Sequence, residues 1–402
     1  MTTELTTAVV RHLEVLCNQI GARPGGTPAN RAAAEYIAAE MRRLGLEVEL
    51  QPLACPDWRC LGELLTLDGQ PLELLTNPFS PSCDVRAPFV PVCTLAELER
   101  AELSGRIALL YGDLTRQPLA AKSWFLSSEE DLRPVHLLEE KEPLAVLTVQ
   151  ALPGSVNRLI EDWEFGLPSA TLPAESGLAL LTHPGGTLHL RLATEQQPGE
   201  TCNVIGRRVG TRLEVAAACA HYDTKYDTPG ATDNATGVAA MLALAEILSA
   251  ETLDCGLEFI AFANEEYLPI GEDAYIPAVG EDHFGQLLLA VNFDGLGHRL
   301  DTLNVASFTC SQEFQQRLEQ IAAAHPAVAW TEPWPESNHS SFAWRGVPAL
   351  AFSGQAVRTW AHQHHDSLRW INPANVLEAA QLSAEILREV QARPLAWLRP
   401  EV

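Results

Sequence analysis

Along residues 28–44, PANRAAAEYIAAEMRRL, the apolar positions Ala33, Tyr36, Ile37, Met41 and Leu44 recur at helical spacing. Thr27 can cap this helix, Pro28 suits its first turn and Gly45 ends it. EVELQPL then reads as a strand. From about 55 to 195 prolines, short apolar runs and turn signals alternate, and IALLYG (107–112) and LAVLTV (144–149) read as buried strands. From about 200 the order becomes strand, loop, helix, repeated. LEVAAACA (213–220), LEFIAFA (257–263), LLLAVNF (287–293) and VPALAF (347–352) are near-continuous apolar strands. TGVAAMLALAEILS (236–249) reads as an amphipathic helix, 311–324 as another, and a last one runs from Pro373 to about 391 with Asn372 as its cap. Apolar strands alternating with helices predict an α/β fold: a mixed, mostly parallel sheet flanked by helices on both faces. A smaller, β-rich inserted domain interrupts it, giving the division 1–54, 55–199 and 200–402. The insert has few clustered His or Asp residues, so no chemistry is expected there.

The 402 residues are 47% hydrophobic and 20% charged, enough for a large core and against disorder. The net charge of −25 repels phosphate backbones and anionic lipid, so nucleic acid and membrane are excluded as expected partners. The same charge attracts cations, a peptide α-amino group among them. The start, MTTELTTAVVRHLEVL, lacks a basic region followed by an apolar stretch, and no apolar run approaches the ~18–20 residues of a membrane span. Nine irregularly spaced cysteines include no CxxC pair, which argues against a cysteine zinc site; Cys219 and Cys255 read as small core residues. A reducing, cytoplasmic location is the expectation.

The chemistry collects where the strands end. After 213–220 come His221, Tyr222 and Asp223; after 257–263 come Asn264, Glu265 and Glu266; after 287–293 comes Asp294. Gly230–Gly237 adds Asp233 and Asn234 just before a helix, and His362, His364, His365 and Asp366 follow the last strand. Open α/β sheets bind ligands beyond the carboxyl ends of their strands, so these groups converge. Imidazole with carboxylate suits zinc or a similar divalent ion. His221, Asp233, Glu266, Asp294 and one histidine of 362–365 are enough for two ions about 3.5–4 Å apart, with a bridging carboxylate. Glu265 is then left as a general base. Neighbours on a strand point opposite ways, which supports separate roles for Glu265 and Glu266. Each residue alone has a plainer role, as a loop hydrogen-bonder, helix initiator or turn; five strand ends carrying ligand types together do not.

The stretches H-Y-D-x9-D-N (221–234), N-E-E (264–266), F-D-G-L-G (293–297) and H-x-x-x-D-S (362–367) closely resemble the M28 family of zinc exopeptidases. Residues 23–53 look like that family's N-terminal helix and strand, and the insert is similar, more weakly, to a protease-associated domain. The resemblance implies the zinc exopeptidase/phosphorylase-like fold and two Zn2+ per chain. Their ligands would be His221, Asp233, Glu266, Asp294 and His362, with Asp233 bridging and Glu265 as the base. It places Asp223 behind the first histidine, with Asp366 as a second supporting carboxylate, and prefers His362 over His364 and His365 by register. Two positions depart from the family pattern. Ala361 stands where a Tyr is common, and Ser337-Asn338-His339 stands where Ser-Asp-His is usual.

The implied activity is that of a zinc-dependent aminopeptidase acting on peptides with a free N-terminus. A carboxypeptidase or dipeptidase on the same site would need cations for the substrate carboxylate, and Arg299, Arg345 and Arg358 are the candidates. A single-zinc glutaminyl-cyclase-like enzyme, or an inactive binding module of the same fold, would each need some of the ligands or the base to be missing, and none is. The sequence leaves side-chain preference, native metal and oligomeric state open.

Overall fold

The computed structural model describes residues 2–122, 124, 126–152, 156–355 and 361–400. The chain forms two compact units, one of residues 1–55 and 199–402, the other of residues 56–198.

The larger unit is built on a sheet ordered Thr187–Arg208 (its C-terminal part), Gly256–Phe262, Val215–His221, Leu287–Phe293, Ala349–Ser353, Leu303–Phe308 and Val328–Trp330. The four strands from Gly256–Phe262 to Ala349–Ser353 run parallel. Antiparallel pairs flank them, at Leu257↔Arg208 on one side and at Val305↔Phe352 on the other. The sheet is therefore mixed and mostly parallel, with apolar groups buried on both faces. Alternation along Val215–His221 sends Ala216, Ala218 and Ala220 to a core shared with Val238 and Leu242, and Ala217 and Cys219 to one shared with Tyr275, Phe284 and Phe342.

The helix Thr236–Ser249 differs from its expected amphipathic character. Eleven of its fourteen residues are buried, because it packs on the sheet and beneath the helices Thr2–Glu14 and Pro373–Val390. The first of these was not foreseen, although its Leu5, Val9 and Leu13 recur at helical spacing. Pro28–Arg43 begins as the pattern requires, with Thr27 Oγ1 accepting from Asn30 N at 3.2 Å and Pro28 in the first turn. Asn372 likewise caps Pro373–Val390 through Ala374 N, at 3.2 Å.

In the smaller unit the strands Cys83–Val92, Ile107–Leu110, Ala145–Val149 and Ser169–Leu172 pair in parallel, each with the next. Parallel neighbours need crossover connections, and the helices Leu95–Arg100 and Glu129–Lys141 lie in two of them. This unit thus alternates strand with helix, where the sequence suggested mainly strand. Among the described residues no helix is long and apolar enough to cross a membrane.

Candidate active site

The parallel strands end on one edge of the sheet, and the polar residues foreseen there meet. His221 is the last residue of its strand and is almost wholly buried. Its Nε2 lies 3.1 Å from Asp233 Oδ1 and 3.3 Å from Asp294 Oδ1. His362 Nε2 lies 3.1 Å from Asp233 Oδ2 and 3.1 Å from Glu266 Oε2. Two donor groups result, His221–Asp233–Asp294 and Asp233–Glu266–His362, the ligand atoms of each lying within 4.8 Å of one another. Asp233 belongs to both, one oxygen facing each histidine. Glu265 belongs to neither; its Oε2 stands 3.9 Å from His221 Nε2. The rings of His364 and His365 meet edge to face, 5.3 Å apart, and both residues lie outside the two groups.

The sequence argument for separating Glu265 from Glu266 needs correction. The strand ends at Phe262, and both residues sit on the turn that follows. Asn264 there has a φ of +63°, a left-handed backbone that Asn tolerates better than most residues. The two carboxylates part because that turn rotates the chain, not because a strand pleats it.

Asp223 holds the turn. Its Oδ1 accepts from Glu265 N at 3.0 Å and its Oδ2 from Glu266 N at 3.2 Å. Its distance to His221 Nδ1, 3.6 Å, is longer than a hydrogen bond. Its contact with the protein is thus mainly with the backbone of the two glutamates. Asp366 does the same for the Asp233 loop, accepting from Thr232 N at 2.9 and 3.0 Å and from Asp233 N at 3.1 Å. Asn234 ties that loop to the end of the neighbouring strand. Its Nδ2 donates to Phe293 O at 2.8 Å, and its Oδ1 accepts from Gly237 N at 2.9 Å. Gly237 has to be glycine here, because a Cβ would lie 2.2 Å from both Phe293 O and Asn234 Oδ1.

Three contributors were missed by the sequence argument. Arg23, fully buried, donates to Tyr222 O, Pro229 O and Gly230 O, on the loop between His221 and Asp233. Lys225 Nζ donates to Glu266 O and lies 3.8 Å from Glu266 Oε2, with the Tyr267 ring 4.3 Å away. Glu272 is a buried carboxyl hydrogen-bonded to Asn338. Of the three, Lys225 left a visible signal: a cation between Asp223 and Asp227 in an otherwise apolar and acidic stretch.

The donor set suits borderline divalent cations. Two imidazoles and three carboxylates converge, a mixture that zinc accepts. Glu266 Oε1 is buried without a hydrogen-bond partner, so it has coordinating capacity to spare. Burial raises the Glu265 and Glu266 carboxyls above their ordinary range. Burial alone would lower the His221 imidazole, but the Glu265 and Asp294 carboxylates outweigh it and raise it well above its usual value. The pocket thus calls for positive charge. Ala361 is buried and carries no hydroxyl, so no side-chain donor stands at that position.

The fold is that of known zinc aminopeptidases. A zinc aminopeptidase of Bacillus subtilis superposes with a TM-score of 0.79 at 22% identity, covering 99% of this chain and 98% of its own. A peptidase M28 precursor of Shewanella amazonensis superposes at 0.80 with 21% identity, covering 100% and 98%. In sequence the chain is 26% identical over 385 residues to the aminopeptidase YwaD of Bacillus subtilis, spanning 91% of this chain and 81% of that one. The model of Peptidase family M28 matches residues 203–387 of this chain.

Proposed function

We propose that this chain is a zinc aminopeptidase that binds two metal ions and hydrolyses the first peptide bond of substrates with a free N-terminus. The single observation that carries this reading is a pair of donor groups sharing Asp233, with Glu265 beside them and in neither. His221 and Asp294 would hold one ion, Glu266 and His362 the other, and Asp233 both. When bound, the ions supply Lewis acidity, making water easier to ionise and the substrate carbonyl easier to attack. Glu265 takes the proton from the attacking water and returns it to the departing amine. Asp223 keeps Glu265 in place through its backbone N–H. The carboxylate-rich pocket favours an α-ammonium over a carboxylate as the end group it receives.

The carboxypeptidase alternative gains nothing from its arginines. Arg299 is hydrogen-bonded to Arg369 O at 3.2 Å, and Arg345 to Ser341 O at 2.8 Å with its guanidinium over Phe284. Arg358 lies outside the described residues. Both donor groups are present, which favours a two-metal peptidase over a single-metal cyclase.

Glu265→Gln tests the reading. The amide keeps shape and backbone contacts but cannot take a proton, so turnover of an aminoacyl anilide should fall by about 10²–10⁴. Metal content should stay at that of the wild type. Activity within about threefold of wild type would remove Glu265 as base. Equal rates on free and N-acetylated substrates would remove the N-terminal specificity.

A further inference from the structure

Glu272 lies in the first turn of the helix Ile270–Val279, which follows the turn bearing Glu265 and Glu266. The preceding Gly271 lets this helix abut the end of the strand Gly256–Phe262, since a Cβ there would lie 2.7 Å from Ala263 O. The Glu272 carboxyl is thereby carried into the interior, where it is 6% exposed. It meets Asn338, fully buried, and Asn338 Nδ2 donates to Glu272 Oε1.

The other two oxygens of this pair are what need explaining. Glu272 Oε2 and Asn338 Oδ1 are both buried and neither has a hydrogen-bond partner. An ionised carboxylate and an amide oxygen are both acceptors, and two unpaired acceptors facing each other in one buried pair are strongly unfavourable. One proton on Glu272 turns one of them into a donor and satisfies both.

We infer that Glu272 carries a proton in the folded protein and closes a ring with the Asn338 carboxamide, Asn338 Nδ2 donating to Glu272 Oε1 and Glu272 Oε2 donating to Asn338 Oδ1. The pair is a positioning device. It joins the helix behind the glutamate turn to the segment Ser337–His339. Ser337 Oγ accepts from Asn292 Nδ2 at 2.9 Å, two residues before Asp294. His339 bonds through Nε2 to Trp334 O at 2.8 Å. The charged and titratable groups facing Glu272 are His221, Asp223 and Glu265 at the site and the Cys219 thiol on the strand Val215–His221. Burial pushes the Glu272 carboxyl up to about 7, against the pull of the Asn338 hydrogen bond. The acid–amide pair also gives Asn338 a role where the related pattern has Asp: the acid stands on the opposite partner, and the amide supplies the N–H donor that a carboxylate lacks.

The proton can be tested without reference to catalysis; the positioning role rests on the peptidase reading. In infrared difference spectra of the metal-loaded protein at about pH 6, wild type minus E272Q should contain a protonated-carboxyl band. Its absence would overturn the inference even if the enzyme is active, and its presence would stand even if the protein is no peptidase. The stability of wild type relative to E272Q should fall as pH rises from 4.5, the ordinary value of the acid, to about 7. The sign follows because a raised acid stabilises the fold only while it holds its proton. Parallel stability profiles would count against a proton on Glu272. A glutamine closes the same ring without titrating, so E272Q should keep kcat within about threefold of wild type, whereas E272A should lose about tenfold or more. Equal losses in both would overturn the ring. Should E272Q not fold, the exchange E272Q/N338D, which puts amide and acid on opposite partners, is expected to restore folding and activity; failure there too would overturn it.

Discussion

Arg23→Ala should destabilise the larger unit and release the loop between His221 and Asp233. The guanidinium is fully buried and donates to Tyr222 O at 2.6 Å, Pro229 O at 2.8 Å, Gly230 O at 3.2 Å and Gly21 O at 3.2 Å. Gly230 O keeps a second partner in Ala235 N, at 3.0 Å. Tyr222 O and Pro229 O make the two short bonds, and leaving two such carbonyls unpaired costs about 1–3 kcal/mol each, or roughly 4 kcal/mol together. At about 2–4 °C per kcal/mol for a unit of this size, Tm should drop by roughly 10 °C. Scanning calorimetry of the metal-loaded protein measures this, and the transition to follow is that of the larger unit. Arg23→Lys keeps the charge but has a compact head in place of the planar fork, so it should recover only part of the loss. A Tm for Arg23→Ala within about 2 °C of wild type would refute the reasoning, because the carbonyls would then have found other donors at little cost.

Gly25→Ala should damage activity more than stability: a Cβ there would lie 2.0 Å from Asn264 Oδ1, next to Glu265. A loss of at least about tenfold in kcat/KM is expected, with recovery in the double variant Gly25→Ala/Asn264→Gly, and unchanged activity in the single variant would count against the contact. Asp233→Ala removes the carboxylate common to both donor groups. Elemental analysis should then find metal depleted from both positions, and two ions still bound would end the bridging role. Asp366→Ala unpairs the buried N–H groups of Thr232 and Asp233. It should weaken metal binding about 10–100-fold, as read by chelator competition, and unchanged retention would show the loop holds without it.

The strand ends were legible because their chemistry is local in sequence. Apolar runs of about seven residues stopping at His221, before Asn264 and before Asp294 leave few alternatives to a sheet with its polar edge at one end. The caps Thr27 and Asn372 were readable for the same reason: each bonds within three residues of itself. The amphipathic reading of Thr236–Ser249 failed where neighbours intervene, since covering from both sides buries a helix all round. The glutamate turn failed differently, because a positive φ at Asn264 is a backbone state that residue type permits without announcing.

The sequence by itself determined which residues of metal-ligand type follow the apolar strands, and that a sheet of this kind gathers its strand ends at one edge. Only the tertiary structure decided how they divide. It set the two oxygens of Asp233 toward different histidines, turned Asp223 to the backbone of Glu265 and Glu266, and carried Arg23 across about 200 positions of chain to hold the loop in front of them. The physical reason is range. Hydrophobic periodicity is written in neighbouring residues, whereas a buried polar group is satisfied by whatever donor or acceptor the fold brings within about 3 Å, wherever it lies along the chain.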